Sequence, residues 1–315
     1  MVGSAIYRKL KSYGFNNLIC ASRDEIDLIN PKEVESFFNR YSPDIVIIAA
    51  AKVGGIYANN TYPYDFILDN LKIQINLIEN AFKKKVKRLL FLGSSCIYPK
   101  FASQPIKEEY LLSDSLESTN QWYAIAKIAG IKLCEALSIQ YGFDAISLMP
   151  TNLYGKGDNY HKYNSHVLPA LLDRFHSHKV DKKKSITCWG SGNPRREFMH
   201  VDDLAEASIF ALENWDPNKS NAPLDDSSEP LTWLNVGTGK DITIKKLAQM
   251  IAKVTSYNGE IIWDINKPDG PLQKLLDISK LKHLGWESKI ELTQGIESTY
   301  EEYKKELKEN RLRAK

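Results

Sequence analysis

The sequence predicts an α/β fold in which a doubly wound parallel sheet carries helices on both faces, with a smaller carboxyl-terminal lobe. Two observations lead to this prediction. Short apolar runs alternate with amphipathic segments of helical length through the first half of the chain. The apolar runs are continuous rather than alternating, which is typical of strands buried on both faces. Strands that are separated by helices pair in parallel and form a Rossmann-like architecture.

The elements follow from these patterns in chain order. Buried strands are predicted at 17–21, 44–51, 88–93, 143–149 and 231–236. Helices are predicted between them at 31–41, 64–84 and 120–141. The polar stretch 216–230 is predicted as a loop, and the charged tail after Tyr300 as an exposed helix.

The composition is that of an ordinary globular protein. Of 315 residues, 43% are hydrophobic and 26% charged, and the net charge is +3. This balance gives no overall cationic field for nucleic acid, and the lysine-rich runs at 83–88 and 182–184 are predicted as solvated helix ends or loops. There is no apolar run of about 18 residues that would indicate a membrane span, and no signal peptide is recognised.

The four cysteines are widely spaced and include no C-x-x-C pair. This pattern is neither a disulfide framework nor a zinc site and is typical of a reducing compartment. The histidines have no metal-ligand spacing either. We therefore expect a cytoplasmic protein without a metal.

The first residues resemble the start of a helix that follows a glycine-rich turn. In dinucleotide-binding folds that turn places the pyrophosphate at the helix amino terminus. Gly3 can be the last of its glycines, so we expect the first strand and two earlier glycines to be missing. About 20 residues later, at the position that contacts the adenosine ribose, stands Arg23. An arginine there accommodates a 2′-phosphate and favours NADP; capping of an exposed strand end is the alternative.

The clearest chemical signal joins Ser94, at the end of a predicted strand, to Tyr123 and Lys127 on the next helix. Tyrosine and lysine four residues apart lie on one face of a helix. An ammonium beside a phenol is expected to lower the phenol's pKa from about 10. The serine would hold a substrate oxygen while the tyrosine exchanges its proton, which supports hydride transfer at a carbonyl. Tyr-x-x-x-Lys also occurs at 7–11 and 300–304, without a strand-end serine upstream.

Five segments together carry a family resemblance. They are FLGSSCIYPK (91–100), QWYAIAKIAGIKLCE (121–135), MPTNLYGKGDNYH (149–161), NSHVLPALL (164–172) and REFMHVDDLA (196–205). With them the chain resembles the GDP-L-fucose synthases, within the extended short-chain dehydrogenases/reductases. Cys96 directly after two serines, and His166 within NSHV, are the most specific features. The resemblance implies an NADPH-dependent enzyme that epimerises GDP-4-keto-6-deoxy-D-mannose at C3 and C5 and reduces it at C4, giving GDP-L-fucose.

The resemblance also implies roles for individual residues. Cys96 and His166 match the family's acid/base pair, and Ser94, Tyr123 and Lys127 match its reductase triad. From the residues alone, Cys96 as a small core residue and His166 as a helix cap stay open. The implied cofactor-binding residues are Gly3, Arg23, Asp27, Leu28, Ala50, Lys127 and Asn152. The implied substrate-binding residues are Asn152, Asn164, Trp189, Arg196 and Lys267.

Two of the substrate positions have a chemical rationale of their own. The guanidinium fork of Arg196 suits a diphosphate, with a surface salt bridge as the alternative. The ring of Trp189 can stack on guanine or sugar, with plain packing as the alternative. The NADP-binding domain is expected to comprise 1–154 plus about 198–237, and the substrate-binding lobe about 155–197 plus 238–315. The family's paired long helices imply a homodimer.

Two other functions remain open from the sequence. One is a related sugar-nucleotide dehydratase or 4-epimerase, although such enzymes lack the pair formed here by Cys96 and His166. The other is a non-catalytic sugar-nucleotide-binding protein, because an incomplete phosphate-binding turn would weaken NADPH binding. The catalytic residues that the family uses are all retained in this chain, which favours the enzyme.

Overall fold

The computed structural model describes residues 1–162, 164–267 and 269–314, including every side chain among them except that of Ile56. The helices are α1 Val2–Ser12, α2 Pro31–Tyr41, α3 Ile56–Thr61, α4 Pro63–Lys83, α5 Gln121–Tyr141, α6 Val167–Val180, α7 Val201–Asn214, α8 Ile244–Thr255, α9 Ser279–His283 and α10 Leu292–Lys308. The strands are β1 Ile45–Ile48, β2 Arg88–Leu92, β3 Ala145–Pro150, β4 Asn152–Tyr154, β5 Ser185–Trp189, β6 Arg195–His200, β7 Trp233–Val236, β8 Asp241–Thr243, β9 Glu260–Asp264 and β10 Gln273–Lys274.

The main sheet confirms the predicted fold class. Its four strands lie in the order β1-β2-β3-β7 and all pair in parallel. The carboxyl ends of parallel strands meet at one edge of a sheet. Residues that follow β1, β2 and β3 are therefore neighbours in space, although they lie far apart in the chain.

Local side-chain contacts define the start of helix α2. At the start of α2 the Asn30 side chain accepts the Lys32 backbone N–H, and Pro31 occupies the first helical position, as is favoured there.

Behind the sheet, α4 packs along α5. The Gln74 side chain of α4 donates to the Ala126 carbonyl of α5, which fixes the register of the two long helices.

The predicted strand at 17–21 is wrong. These residues form no strand and are mostly exposed, with Ile19 at 38%. An apolar run becomes a strand only where another backbone pairs with it. Among the described residues β1 pairs only with β2 and Ile45 is 52% exposed, so no strand lies beside 17–21.

A second set of elements forms the smaller lobe. Strand β6 pairs in parallel with β4 and β10 and antiparallel with β8, while β5 pairs with β9. The hydrophobic residues fall into two buried clusters. One lies around the main sheet and also takes in Leu276, Leu281 and Trp286. The other lies among α6, α8 and α10, and the exact division into lobes stays a prediction.

The predicted exposed tail helix is wrong in part. Helix α10 begins at Leu292, before Tyr300, and buries Tyr300 and Tyr303 in the second cluster. Its apolar residues recur at helical spacing, so one face packs inward while the charged face remains in solvent. The predicted loop at 216–230 has neither helix nor strand. Within the described residues, no helix is long and apolar enough to cross a membrane.

Candidate active site

The site begins at the carboxyl end of β2. Ser94 is extended, and its hydroxyl accepts the Cys96 backbone N–H at 3.2 Å. That bond starts a short 3₁₀ turn, Ser95–Ile97, which places Cys96 half-buried at the sheet edge. The preceding residue is Gly93, where an added Cβ would strike Met149. A glycine therefore lets the ends of β2 and β3 come close together.

Helix α5 brings Tyr123 to this serine. The Tyr123 phenol lies near the Ser94 hydroxyl, which acts to lower its pKa, and near Cys96, whose charge acts to raise it. Burial raises the pKa of Tyr123 well above its usual value. The expectation that the neighbouring lysine lowers this pKa is therefore wrong.

Lys127 explains why that expectation fails. Its ammonium is buried, donates to the Leu92 carbonyl at 2.7 Å, and lies 5.9 Å from the centre of the Tyr123 ring. Desolvation lowers the pKa of Lys127 to about 7. A lysine that is itself so poorly solvated is only partly charged at neutral pH and gives the phenol little support.

Cys96 has two polar neighbours that the sequence did not reveal. The Asn120 side-chain amide nitrogen lies 3.4 Å from the Cys96 sulfur, and the Lys274 ammonium lies 3.8 Å from it. They come from positions 24 and 178 residues away. Cys96 is therefore not a plain core residue.

His166 stands immediately before α6. It is extended, and its side chain makes no capping hydrogen bond, so the helix-cap alternative is wrong. Desolvation lowers the pKa of the imidazole, although the residue as a whole stays exposed to solvent, which limits the effect. Among the described contacts none joins His166 directly to Ser94, Cys96 or Tyr123.

Arg196 lies on β6, beside Lys274 of β10 in the parallel ladder. Its guanidinium is half-buried, donates to the Pro271 carbonyl at 2.7 Å, and senses the charges of Asp269 and Cys96. It forms no ion pair with any described residue, so the surface salt bridge considered from the sequence is absent there. Desolvation lowers its pKa, and an anion that approached it would offset this cost.

A buried carboxylate holds this strand in place. Glu197 accepts the backbone N–H groups of Gly239 at 2.8 Å and Leu276 at 3.1 Å. It thereby joins the turn after β7 to the segment that follows Lys274. This contact could not be predicted from the sequence, because the three segments are far apart in the chain.

The other predicted substrate residues are Trp189, Lys267, Asn152 and Asn164. Trp189, at the end of β5, is 66% exposed, and the Lys267 ammonium lies 5.7 Å from its ring centre, so this ring is not core packing. The Asn152 side chain donates to the Glu197 carbonyl at 2.8 Å. The Asn164 carbonyl accepts the Gly55 N–H at 2.9 Å.

The predicted cofactor residues follow the edge from α1 to β1. A Cβ on Gly3, in the first turn of α1, would meet Ala49 at 3.6 Å, which places this turn beside Ala50. Arg23 is exposed and has no partner among the described residues. The Asp27 carboxylate accepts the Ile29 N–H, and the Leu28 carbonyl accepts from the Asn76 side chain.

Two features of this edge fit a dinucleotide. No described side chain caps the amino end of α1, and free backbone N–H groups at a helix start bind phosphate. The Lys127 ammonium has three donors and makes one hydrogen bond with the described residues, to Leu92, so two donors remain for the hydroxyls of a ribose. The amino end of α1 and Lys127 therefore fit a bound dinucleotide such as NADPH.

A model of the NAD dependent epimerase/dehydratase family matches residues 1–223. The chain belongs to this family. GDP-L-fucose synthase 1 from Arabidopsis thaliana is 54% identical over 307 residues, which are 98% of this chain and 91% of that relative. The resemblance expected from the sequence is thereby confirmed.

Two solved structures share the fold over nearly the whole chain. A GDP-6-OMe-4-keto-L-xylo-heptose reductase from C. jejuni has a TM-score of 0.90 at 39% identity, covering 97% of this chain and 95% of that one. MlghC, a GDP-mannoheptose C4 reductase from Campylobacter jejuni with NADP bound, has a TM-score of 0.84 at 39% identity, with coverages of 96% and 95%.

Proposed function

We propose that this chain is a GDP-L-fucose synthase, which epimerises GDP-4-keto-6-deoxy-D-mannose at C3 and C5 and reduces its C4 ketone with NADPH. The observation that carries the proposal is the cluster of Ser94, Cys96 and Tyr123 at the end of β2. It combines a reductase triad with a thiol that such a triad does not need. The 54% identity to a GDP-L-fucose synthase supports the same conclusion.

The reduction uses Ser94 and Tyr123. The Ser94 hydroxyl holds the C4 oxygen of the sugar, and the Tyr123 phenol gives that oxygen a proton. A phenol whose pKa is ordinary or raised carries its proton at neutral pH, so Tyr123 has a proton to give to the developing alkoxide. NADPH supplies the hydride. Lys127 orients the nicotinamide ribose with its two remaining donors.

The epimerisation uses Cys96 and His166. The ketone at C4 acidifies the hydrogens at C3 and C5, so a base on one face can remove a proton and an acid on the other can return one. The lowered pKa of His166 leaves its imidazole neutral at pH 7 and able to accept a proton. The same Ser94 and Tyr123 donors stabilise the enediolate oxygen.

NADPH, rather than NADH, is proposed as the reductant. The guanidinium of Arg23, which is exposed and has no partner in the described part of the chain, suits the 2′-phosphate that distinguishes the two. Gly3 and the amino end of α1 receive the pyrophosphate. The remaining cofactor contacts are assigned to Asp27, Leu28, Ala50 and Asn152.

The GDP moiety is assigned to the smaller lobe. Arg196, half-buried and without an anionic partner among the described residues, binds the diphosphate. Trp189 stacks on guanine or sugar, with Lys267 beside its ring. Asn152 and Asn164 supply hydrogen bonds to the sugar.

A C4 reductase that does not epimerise is the second candidate, because the structure with a TM-score of 0.90 is a GDP-heptose reductase. The two are separated by NADPH consumption with GDP-4-keto-6-deoxymannose, followed by identification of the product. We expect GDP-L-fucose, little activity with NADH, and loss of at least 100-fold in Tyr123→Phe. Cys96→Ser should abolish GDP-L-fucose formation while NADPH still binds. A folded wild-type chain that binds GDP-sugar without turnover would reject the proposal.

A further inference from the structure

Asn120 occupies a position where its side chain would ordinarily cap a helix. It is the residue before α5, and asparagine is among the preferred residues there. Its side chain makes no capping bond. The amide nitrogen lies instead 3.4 Å from the Cys96 sulfur.

The backbone of Asn120 is held firmly. Its N–H donates to the Glu117 carbonyl, and its own carbonyl accepts the Ala124 N–H, both at 3.1 Å. The amide is therefore fixed to the helix that carries Tyr123. The amide therefore links the Cys96 sulfur to the helix that carries the Tyr123 phenol.

The other end of the same amide has no partner. The Asn120 side-chain oxygen is buried and makes no hydrogen bond with any described residue. A carboxamide carries a donor at one end and an acceptor at the other, and the two exchange places when the group turns over. A thiol needs an acceptor, whereas a thiolate needs a donor. An amide can satisfy both states of a sulfur that gains and loses a proton.

We infer that Asn120 is the positioning residue of Cys96: its carboxamide aims the sulfur at the sugar and serves as its hydrogen-bond partner in both protonation states. The inference rests on the proposed function, in which Cys96 exchanges protons with the sugar. Lys274, 3.8 Å from the same sulfur, supplies charge but no acceptor, so it cannot replace the amide.

The test uses Asn120→Asp, which keeps the shape but removes the donor, and Asn120→Ala, which removes the group. The adjacent Gln121→Ala is the matched control, because the one side-chain hydrogen bond of Gln121 to a described residue is its donation to the Ser118 carbonyl. Each protein is mixed with GDP-4-keto-6-deoxymannose in D₂O without NADPH, and NMR follows deuterium entering C3 and C5. In parallel, iodoacetamide labelling of the Cys96 peptide is timed by mass spectrometry.

We expect both Asn120 variants to slow exchange at least tenfold at the carbon whose exchange Cys96→Ser abolishes. Exchange at the other carbon, and NADPH binding, should stay within twofold of wild type, as should every property of Gln121→Ala. Labelling of Cys96 should slow several-fold in the Asn120 variants. Equal loss at both carbons, or no loss at either, would overturn the inference. If wild type exchanges neither carbon, the proposed function fails, and the labelling rate alone then decides whether Asn120 acts on Cys96.

Discussion

At the residue scale, the site depends on groups that burial has moved away from their ordinary chemistry. The Tyr123 phenol holds its proton more firmly than usual, and Lys127 holds its proton less firmly. Both shifts favour neutral forms, so Tyr123 and Lys127 themselves add little charge to the site. Such sites commonly sacrifice stability for function.

The burial of Lys127 destabilises the folded protein, and this effect can be measured as a dependence of folding stability on pH. Its pKa is about 7 in the folded protein and 10.5 ordinarily. Between these values the unfolded chain binds more protons, so this group makes folding stability rise with pH, and below pH 7 the folded state bears the full cost. The difference corresponds to a few kcal/mol.

We therefore expect Lys127→Met to raise the melting temperature of the cofactor-free protein at pH 6, with a gain that shrinks towards pH 10. Thermal melts at several pH values measure it. Turnover should fall in the same variant. A gain that does not change with pH would mean that improved packing, and not the charge, is responsible.

The sequence shows which residues are catalytic candidates, but it does not show which side chains contact them. Ser94, Tyr123 and Lys127 could be selected because a strand-end serine precedes one Tyr-x-x-x-Lys pair, and Cys96 could be selected from the family resemblance. Asn120 and Lys274 could not be placed at Cys96, because side-chain contacts across 24 and 178 residues depend on how loops return to the sheet edge.

At the scale of helices and strands, the sequence predicted those elements that depend on contacts between residues close together in the chain. Helix α2 was predicted at its observed bounds, because Asn30, Pro31 and an apolar stripe all favour it. The strand at 17–21 failed, because pairing with another strand is not a local property. Helix α10 was recognised by its charge, while its buried tyrosines depend on the second core.

The contact between α4 and α5 provides a test in which two effects oppose each other. In a helix, alanine is favoured over glycine by about 1 kcal/mol. A Cβ on Gly130, however, would lie 2.5 Å from Phe91 and 2.8 Å from the Gln74 side-chain oxygen. Overpacking of this kind costs roughly 1–3 kcal/mol, so we expect Gly130→Ala to destabilise the protein on balance.

Chemical denaturation measures this balance. Gly3→Ala is the matched control, since its Cβ would meet only Ala49 at an ordinary 3.6 Å and should be neutral or slightly stabilising. If Gly130→Ala proved as stable as that control, the close approach of the two helices would not be required.

At the scale of the whole molecule, the segments that carry the candidate catalytic residues meet at one edge of the main sheet. The segments after β2 and β3, the start of α5 and the ladder of β6 and β10 come together there. The doubly wound sheet was predictable from alternating strands and helices. The way in which the smaller lobe delivers Arg196 and Lys274 to Cys96 was not, because it depends on pairing between β6 and β10. Homodimerisation and a cytoplasmic location stay predictions.

The central claim is that one site both epimerises and reduces. The most direct measurement is the wild-type reaction with NADPH in D₂O, with the product analysed by NMR. We expect GDP-L-fucose with deuterium at C3 and C5 and the protium of NADPH at C4. A reduced sugar that keeps its original configuration and protium at C3 and C5 would contradict it, and would show a C4 reductase instead.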